Sequence, residues 1–255
     1  MALPFQKGFL RLEGGSLGET TFMKKNGQHR AKEKIVTVSK QTWKHDPRFK
    51  DKRGIAAEFT NAVAAAKMIR GAVSPFTIAK DVTLSNRLRK LMIGIVSMDI
   101  VSAEGERRVQ PANLQTLCGF NFNKAVTLRS VFNTPYSTSI KRKTGKILIN
   151  IPAFTPSERI IAPKGTTHFK IIAAAIAIDL ASHDHYGETF SSDDILWDEA
   201  MNSAINIELP IPPKSKLPIL IYLGVQFKQD MGNMKYAIAQ GKTDALCIVE
   251  VDVDN

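Results

Sequence analysis

Apolar and polar residues change their period along this chain, and the changes mark its elements. From Leu17 to Lys34 the two kinds mix around Lys25-Asn26-Gly27-Gln28, and Asn-Gly is the favoured two-residue turn, so a β-hairpin is expected there. Lys40 to Arg53 holds seven basic residues, His45 included, without sustained periodicity, and reads as a solvated loop or arm. From Ile55 the pattern turns helical: Phe59, Ala62, Val63, Ala66 and Ile69 share a face and Gly71 supplies a stop. Ser74-Pro75 has the form of an N-cap with a first-turn proline. The stripe Leu84, Leu88, Leu91, Met92 and Ile95 predicts a second helix packed on the first.

After about residue 111 the signals become those of strands. Segments Val126 to Phe132, Tyr136 to Arg142 and Ile147 to Ile151 come first, with a turn at Lys143-Thr144-Gly145. His168 to Leu180, Ala204 to Leu209, Ile219 to Phe227, Met234 to Ala239 and Leu246 to Val253 follow, with Gly232-Asn233 as a turn and a short helical turn expected near Trp197 in Ser191 to Met201. The fold class is therefore α+β: a basic arm with a hairpin over 1–53, a two-helix region over 54–110, and an antiparallel, β-sandwich-like domain over 111–255.

Charge sharpens this picture. The net of +11 divides into +8 over residues 1–53, +3 over 54–110, +7 over 111–165 and −7 over the last ninety. A chain so polarised suits nucleic acid at its basic part, or the acidic end of another copy. The longest apolar segment, Ile171 to Ile178, is far short of a membrane-spanning helix. The opening residues Met1 to Gly8 lack the features of a secretory leader, which favours the cytoplasm or a particle released by lysis. Cys118 and Cys247, in apolar surroundings, are expected to be reduced and buried.

Three short segments resemble a family of uncharacterised proteins common in Bacteroidota. They are Gly14 to Phe22, Glu58-Phe59-Thr60 through Ala66 to Arg70, and Leu223 to Phe227 with Asn233 to Tyr236 and Ala245-Leu246. The resemblance implies a bacterial origin and the helical-then-β layout, and it transfers no functional residue.

Candidate chemistry is sparse. His183-Asp184-His185 with Glu188, Asp193 and Asp194 offers imidazoles and carboxylates for a divalent ion, which a metal-dependent hydrolase would use, but an acidic surface loop accounts for the same residues. No Gly-x-Ser-x-Gly elbow occurs, and Cys118 between Leu117 and Gly119-Phe120 reads as a packed thiol. Gly14 to Gly18 lacks the strand-before, helix-after context of a phosphate loop. The sequence thus predicts no catalytic residue, no metal and no cofactor, and shows no small-molecule substrate. The best candidates are basic: Lys24, Lys25 and Arg30; Lys50, Lys52 and Arg53; and Lys141, Arg142 and Lys143, with Trp43 and Phe49 as aromatics able to stack on bases. These residues bind either phosphates or a neighbouring subunit. The reading preferred is a non-enzymatic structural or interaction protein, a homo-oligomer or homopolymer joined head-to-tail as a filament, tube or particle subunit, with Phe5 to Glu13 adding to a neighbour's strand edge. The alternative is a nucleic-acid-binding protein using the basic N-terminal region.

Overall fold

The computed structural model describes residues 5–6, 9–10, 15–33, 38–76, 81–232 and 234–254. It divides into two compact units, Met1–Lys50 and Asp51–Asn255.

In the first unit, β1 (Phe5–Gln6) pairs antiparallel with β2 (Phe9–Leu10). A separate three-stranded sheet contains β3 (Gly15–Leu17), β4 (Thr20–Lys25) and β5 (Gln28–Glu33), in that order. Between β4 and β5 only Asn26 and Gly27 intervene, both at positive φ (53° and 78°), the backbone a tight hairpin turn requires. Residues 34–37 and most of Phe5 to Glu13 lie outside the described residues. The expected loop over Lys40 to Arg53 is instead helical. Ser39 caps α1 (Lys40–His45) by accepting the Thr42 N–H at 3.0 Å, and Asp46 accepts the Arg48 N–H at 2.9 Å to start a 3-10 turn with Pro47 at its first position. Local capping overrides the crowding of cations.

The second unit is layered. Helices α2 (Lys50–Gly71) and α3 (Leu84–Ser97), with a 3-10 helix at Pro111–Leu117, cover one face of a large antiparallel sheet. Helix α3 begins well after Ser74-Pro75, where Asp81 accepts the Thr83 N–H and hydroxyl and pairs with Arg87 at 2.7 Å. A four-residue helix α4 (Leu128–Val131) replaces the strand expected at Val126 to Phe132. The cause is a capping box: Thr127 accepts the Ser130 N–H, and the Ser130 hydroxyl accepts the Thr127 N–H. Then come β6 (Ser137–Lys141), β7 (Lys146–Ile151), α5 (Pro156–Arg159), β8 (His168–Asp179), β9 (Asp184–Ser191), β10 (Ile195–Leu196), β11 (Ile205–Pro210), β12 (Ile219–Asp230), β13 (Lys235–Ala237) and β14 (Ala245–Asp252). Asn233 of the expected Gly232-Asn233 turn lies outside the described residues. Near Trp197 the chain makes a turn over 197–198 rather than a helix; β10 pairs with the start of β8, and the indole N–H donates to the Ile160 carbonyl at 3.2 Å.

In the large sheet, β12 is flanked by β8 on one side and by β14 and β13 on the other, while β9 and β10 pair with the far side of β8. The small sheet has the order β11-β7-β6. Strands β8 and β12 are apolar without alternation because both of their faces are covered. Ile172, Ala174, Ile176, Leu220 and Tyr222 meet Ile69, Leu88, Met92 and Ile95 of the helices. Ile171, Ala173, Ala175, Ile221 and Leu223 meet Ile147, Ile149, Ile207 and Leu209 of the small sheet. The helices and the sheets therefore share one compact unit. On α2 the packed face is Ala62, Ala65, Ala66, Met68 and Ile69, while Phe59 stays half-exposed.

Tyr222 lies fully buried in the helix-side core with its ring 5.8 Å from that of Phe122, and its hydroxyl finds no hydrogen-bond partner among the described residues. A buried, unpaired hydroxyl costs about 1–3 kcal/mol. Tyr222→Phe is accordingly expected to raise stability by about 1 kcal/mol, read as a higher denaturant midpoint at unchanged slope. A lower midpoint would show that the hydroxyl is satisfied.

Candidate interaction surfaces

Strand alternation sorts the hairpin cations. Cross-strand partners share a face, so the register Met23↔Arg30 and Lys25↔Gln28 places Lys25, Arg30 and Lys32 on one side with Ser16, Thr21 and Met23. Lys24 falls on the opposite side, across from His29. The first side carries no carboxylate among its paired residues. All six residues of β5 are exposed. Trp43 and Phe49, the expected base-stacking pair, pack on each other with ring centroids 5.3 Å apart. Lys50, Lys52 and Arg53 occupy the first turn of α2, where Lys50 and Lys52 are exposed and Arg53 is half-buried.

Lys141, Arg142 and Lys143 do not act as one patch. Lys141 and Lys143 are exposed, whereas Arg142 is committed inside the fold. Its guanidinium meets the Asp252 carboxylate at 2.6 Å and donates to the carbonyls of Ser215 at 2.8 Å and Leu217 at 3.0 Å. Next to it Gly145 (φ 69°) lies so close to the following segment that a Cβ would fall 2.3 Å from the Ile211 carbonyl oxygen. Thr138 donates to Glu250, so β6 and the turn after it are fastened to β14 at two points. Arg142 thus leaves the set of phosphate-binding candidates and becomes a structural clamp.

Most of the His183 to Asp194 segment is a strand, β9, rather than a loop, with Asp193 and Asp194 following it. His183 sits at φ 60° in the turn before β9. Within β9, Asp184 and Glu188 point to one side and His185 to the other. Asp194 is held by three lysines, Lys228 at 2.7 Å, Lys235 at 3.4 Å and Lys170 at 3.8 Å. Burial raises its carboxyl, but the Lys228 hydrogen bond and charge and the two further ammonium groups outweigh this and hold it below the usual range. Among the described residues no three His, Cys, Asp or Glu side chains converge to hold a metal ion. Cys118 is exposed, contrary to expectation, while Cys247 is buried and pushed up to about 12 by desolvation.

Two exposed features escaped the sequence reading. β9 pairs with β8 alone among the described residues, and every one of its residues except Phe190 is exposed. The opposite edge of the sheet is covered, since Gly119 and Phe122 donate to the Ile248 and Leu246 carbonyls at 2.8 Å and outflank β14. The other feature is the turn after α3, where Ile100 and Val101 stand 94% and 85% exposed. That turn is built rather than loose: the buried Asp99 accepts the N–H groups of Val101, Ser102 and Arg108, and Glu58 accepts those of Gly105 and Arg107. The Arg108 N–H first, and the Gln110 amide next, hold the Asp99 carboxyl well below its ordinary range. No signal of period 2 or 3.6 marks either feature, because neither has a buried face.

No family model matches the chain, and no curated protein matches it. No helix among the described residues is long and apolar enough to cross a membrane.

Proposed function

We propose that this is a non-enzymatic structural or interaction protein that associates head-to-tail with copies of itself, using neither cofactor nor small-molecule substrate. The carrying observation is β9, an eight-residue edge strand exposed on both faces from Asp184 to Thr189 and bonded, among the described residues, to β8 alone. Such an edge is a template for another strand. The split of charge, +8 over residues 1–53 and −7 over the last ninety, favours unlike ends meeting, and a contact between unlike surfaces extends into open polymers unless its rotation closes. The exposed Ile100 and Val101 add apolar surface of the kind interaction proteins carry.

Light scattering coupled to size-exclusion chromatography tests this. Mass is expected to rise with concentration at low salt and to fall back as salt screens the charges, with ordered particles in negative-stain microscopy of the early fractions. A monomer at every concentration and ionic strength would overturn it.

A second reading, nucleic-acid binding, draws on the carboxylate-free hairpin face with Lys25, Arg30 and Lys32. It requires retardation of DNA or RNA at low salt, with affinity falling as the logarithm of salt in proportion to the phosphates contacted. Absence of retardation at low salt removes it.

A further inference from the structure

Resting on the self-association reading, we infer that the joint between copies is a β-strand addition: β5 of one copy pairs antiparallel with the free edge of β9 of the next. Both strands are exposed, and among the described residues β5 bonds to β4 alone and β9 to β8 alone. β11 lies beside β9 without a backbone hydrogen bond to it among the described residues. Their charges are opposite: with the histidines His29 and His185 left aside, β5 carries Arg30 and Lys32 against Glu33, and β9 carries Asp184 and Glu188.

One antiparallel register satisfies the side chains together. With Arg30 opposite Glu188, Lys32 falls opposite the exposed ring of Tyr186, Glu33 opposite His185, and Ala31 opposite Gly187. Gln28 then meets Phe190, and His29 meets Thr189. Opposite charges set directly across a strand pair attract, and a lysine over an aromatic face adds to this. The smallest residues meet at Gly187, where a Cβ would run into the Ala175 carbonyl oxygen of β8. Because β5 belongs to the first unit and β9 to the second, the contact is between unlike surfaces, and each copy offers one of each. A six-residue pairing is at the small, transient end of interface sizes, so the polymer should be concentration-dependent.

The test is charge reversal in the full chain, read by light scattering. Arg30→Glu alone and Glu188→Arg alone are each expected to weaken association about ten-fold, since each sets like charges across the joint. An equimolar mixture of the two is expected to recover it, because reversed β5 meets reversed β9 and native meets native. A second arm works in a Cys118→Ser background: His29→Cys and Thr189→Cys chains, mixed under oxidation, should give a disulfide-linked pair that neither gives alone. If the wild type associates but the reversals have no effect and no mixed disulfide forms, the strand joint is wrong while self-association stands. If the wild type is a monomer throughout, both fall. If each single cysteine variant cross-links to itself, the contact is between like surfaces and the pairing of β5 with β9 is overturned.

Discussion

Arg142→Ala is expected to destabilise the second unit by about 3 kcal/mol, lowering its melting temperature by roughly 6–12 °C. The guanidinium spans three parts of the chain: its own turn between β6 and β7, the carbonyls of Ser215 and Leu217, and the end of β14 through Asp252. Hydrogen bonds involving a charged partner are worth about 1.5–3 kcal/mol, and Arg142 makes several from a planar group no other side chain reproduces. Both partners are mostly covered, at 18% and 30% side-chain exposure, so solvent screening removes only part of this. Arg142→Lys should retain the charge but lose most of the bonds, costing about 2 kcal/mol. Lys141→Ala and Lys143→Ala, on exposed side chains, should stay within about 0.5 kcal/mol of wild type. Thermal melts of the four variants decide the matter. Equal, small effects throughout would show Arg142 to be a surface cation after all.

That residue also marks where the sequence stops being legible. Lys141-Arg142-Lys143 reads as a single basic turn because its neighbours in sequence are all it displays. The partners that single out Arg142 lie 73 to 110 residues further on, and the pairings of β11 with β7 and of β12 with β14 bring them near. The strands of the core were readable for the converse reason. β7, β8, β11, β12 and β14 each bury apolar side chains on at least one face, and burial leaves a pattern in the residues themselves. β9 leaves none, since Asp184 to Thr189 are exposed on both sides and its strand conformation is imposed by β8. The helix at Lys40–His45 and the capping box at Thr127 were within reach, because Ser39, the Asp46-Pro47 pair and Thr127-x-x-Ser130 are local signals. Cation density in the first case and alternation of apolar residues in the second masked them. The candidate interaction surfaces were half legible for a related reason. The cations of the hairpin stand in the sequence, but their division into two faces and the acidic edge strand β9 appear only once strand register is fixed.

Asp244→Asn is expected to remove a pH dependence that the wild-type fold carries between about pH 4 and 6. Asp244 is 1% exposed, and its carboxylate accepts a hydrogen bond from the Phe227 N–H at 3.0 Å. Burial pushes its carboxyl up to about 6 from an ordinary 3.8, with the Phe227 N–H opposing. In that interval the folded chain holds a proton at Asp244 that the unfolded chain has released. Unfolding therefore becomes easier as pH rises through the interval, by about 3 kcal/mol in all, and stays so above pH 6. Asp81, where the Thr83 hydroxyl and then the Arg87 guanidinium outweigh burial, Asp194, where its lysines do, and Asp99, held down by the Arg108 N–H, act with the opposite sign and only at lower pH. Comparing variant with wild type cancels them and isolates Asp244. An asparagine keeps the acceptor for Phe227 and never ionises, so the variant should match the wild type at pH 4 and exceed it by about 2–3 kcal/mol at pH 7.5. Urea unfolding at pH 4, 5, 6 and 7.5 measures both curves. Parallel curves would mean that Asp244 ionises at its ordinary value, and that the segment around it, which Asn123 ties down through the Lys242 and Asp244 carbonyls, opens to water.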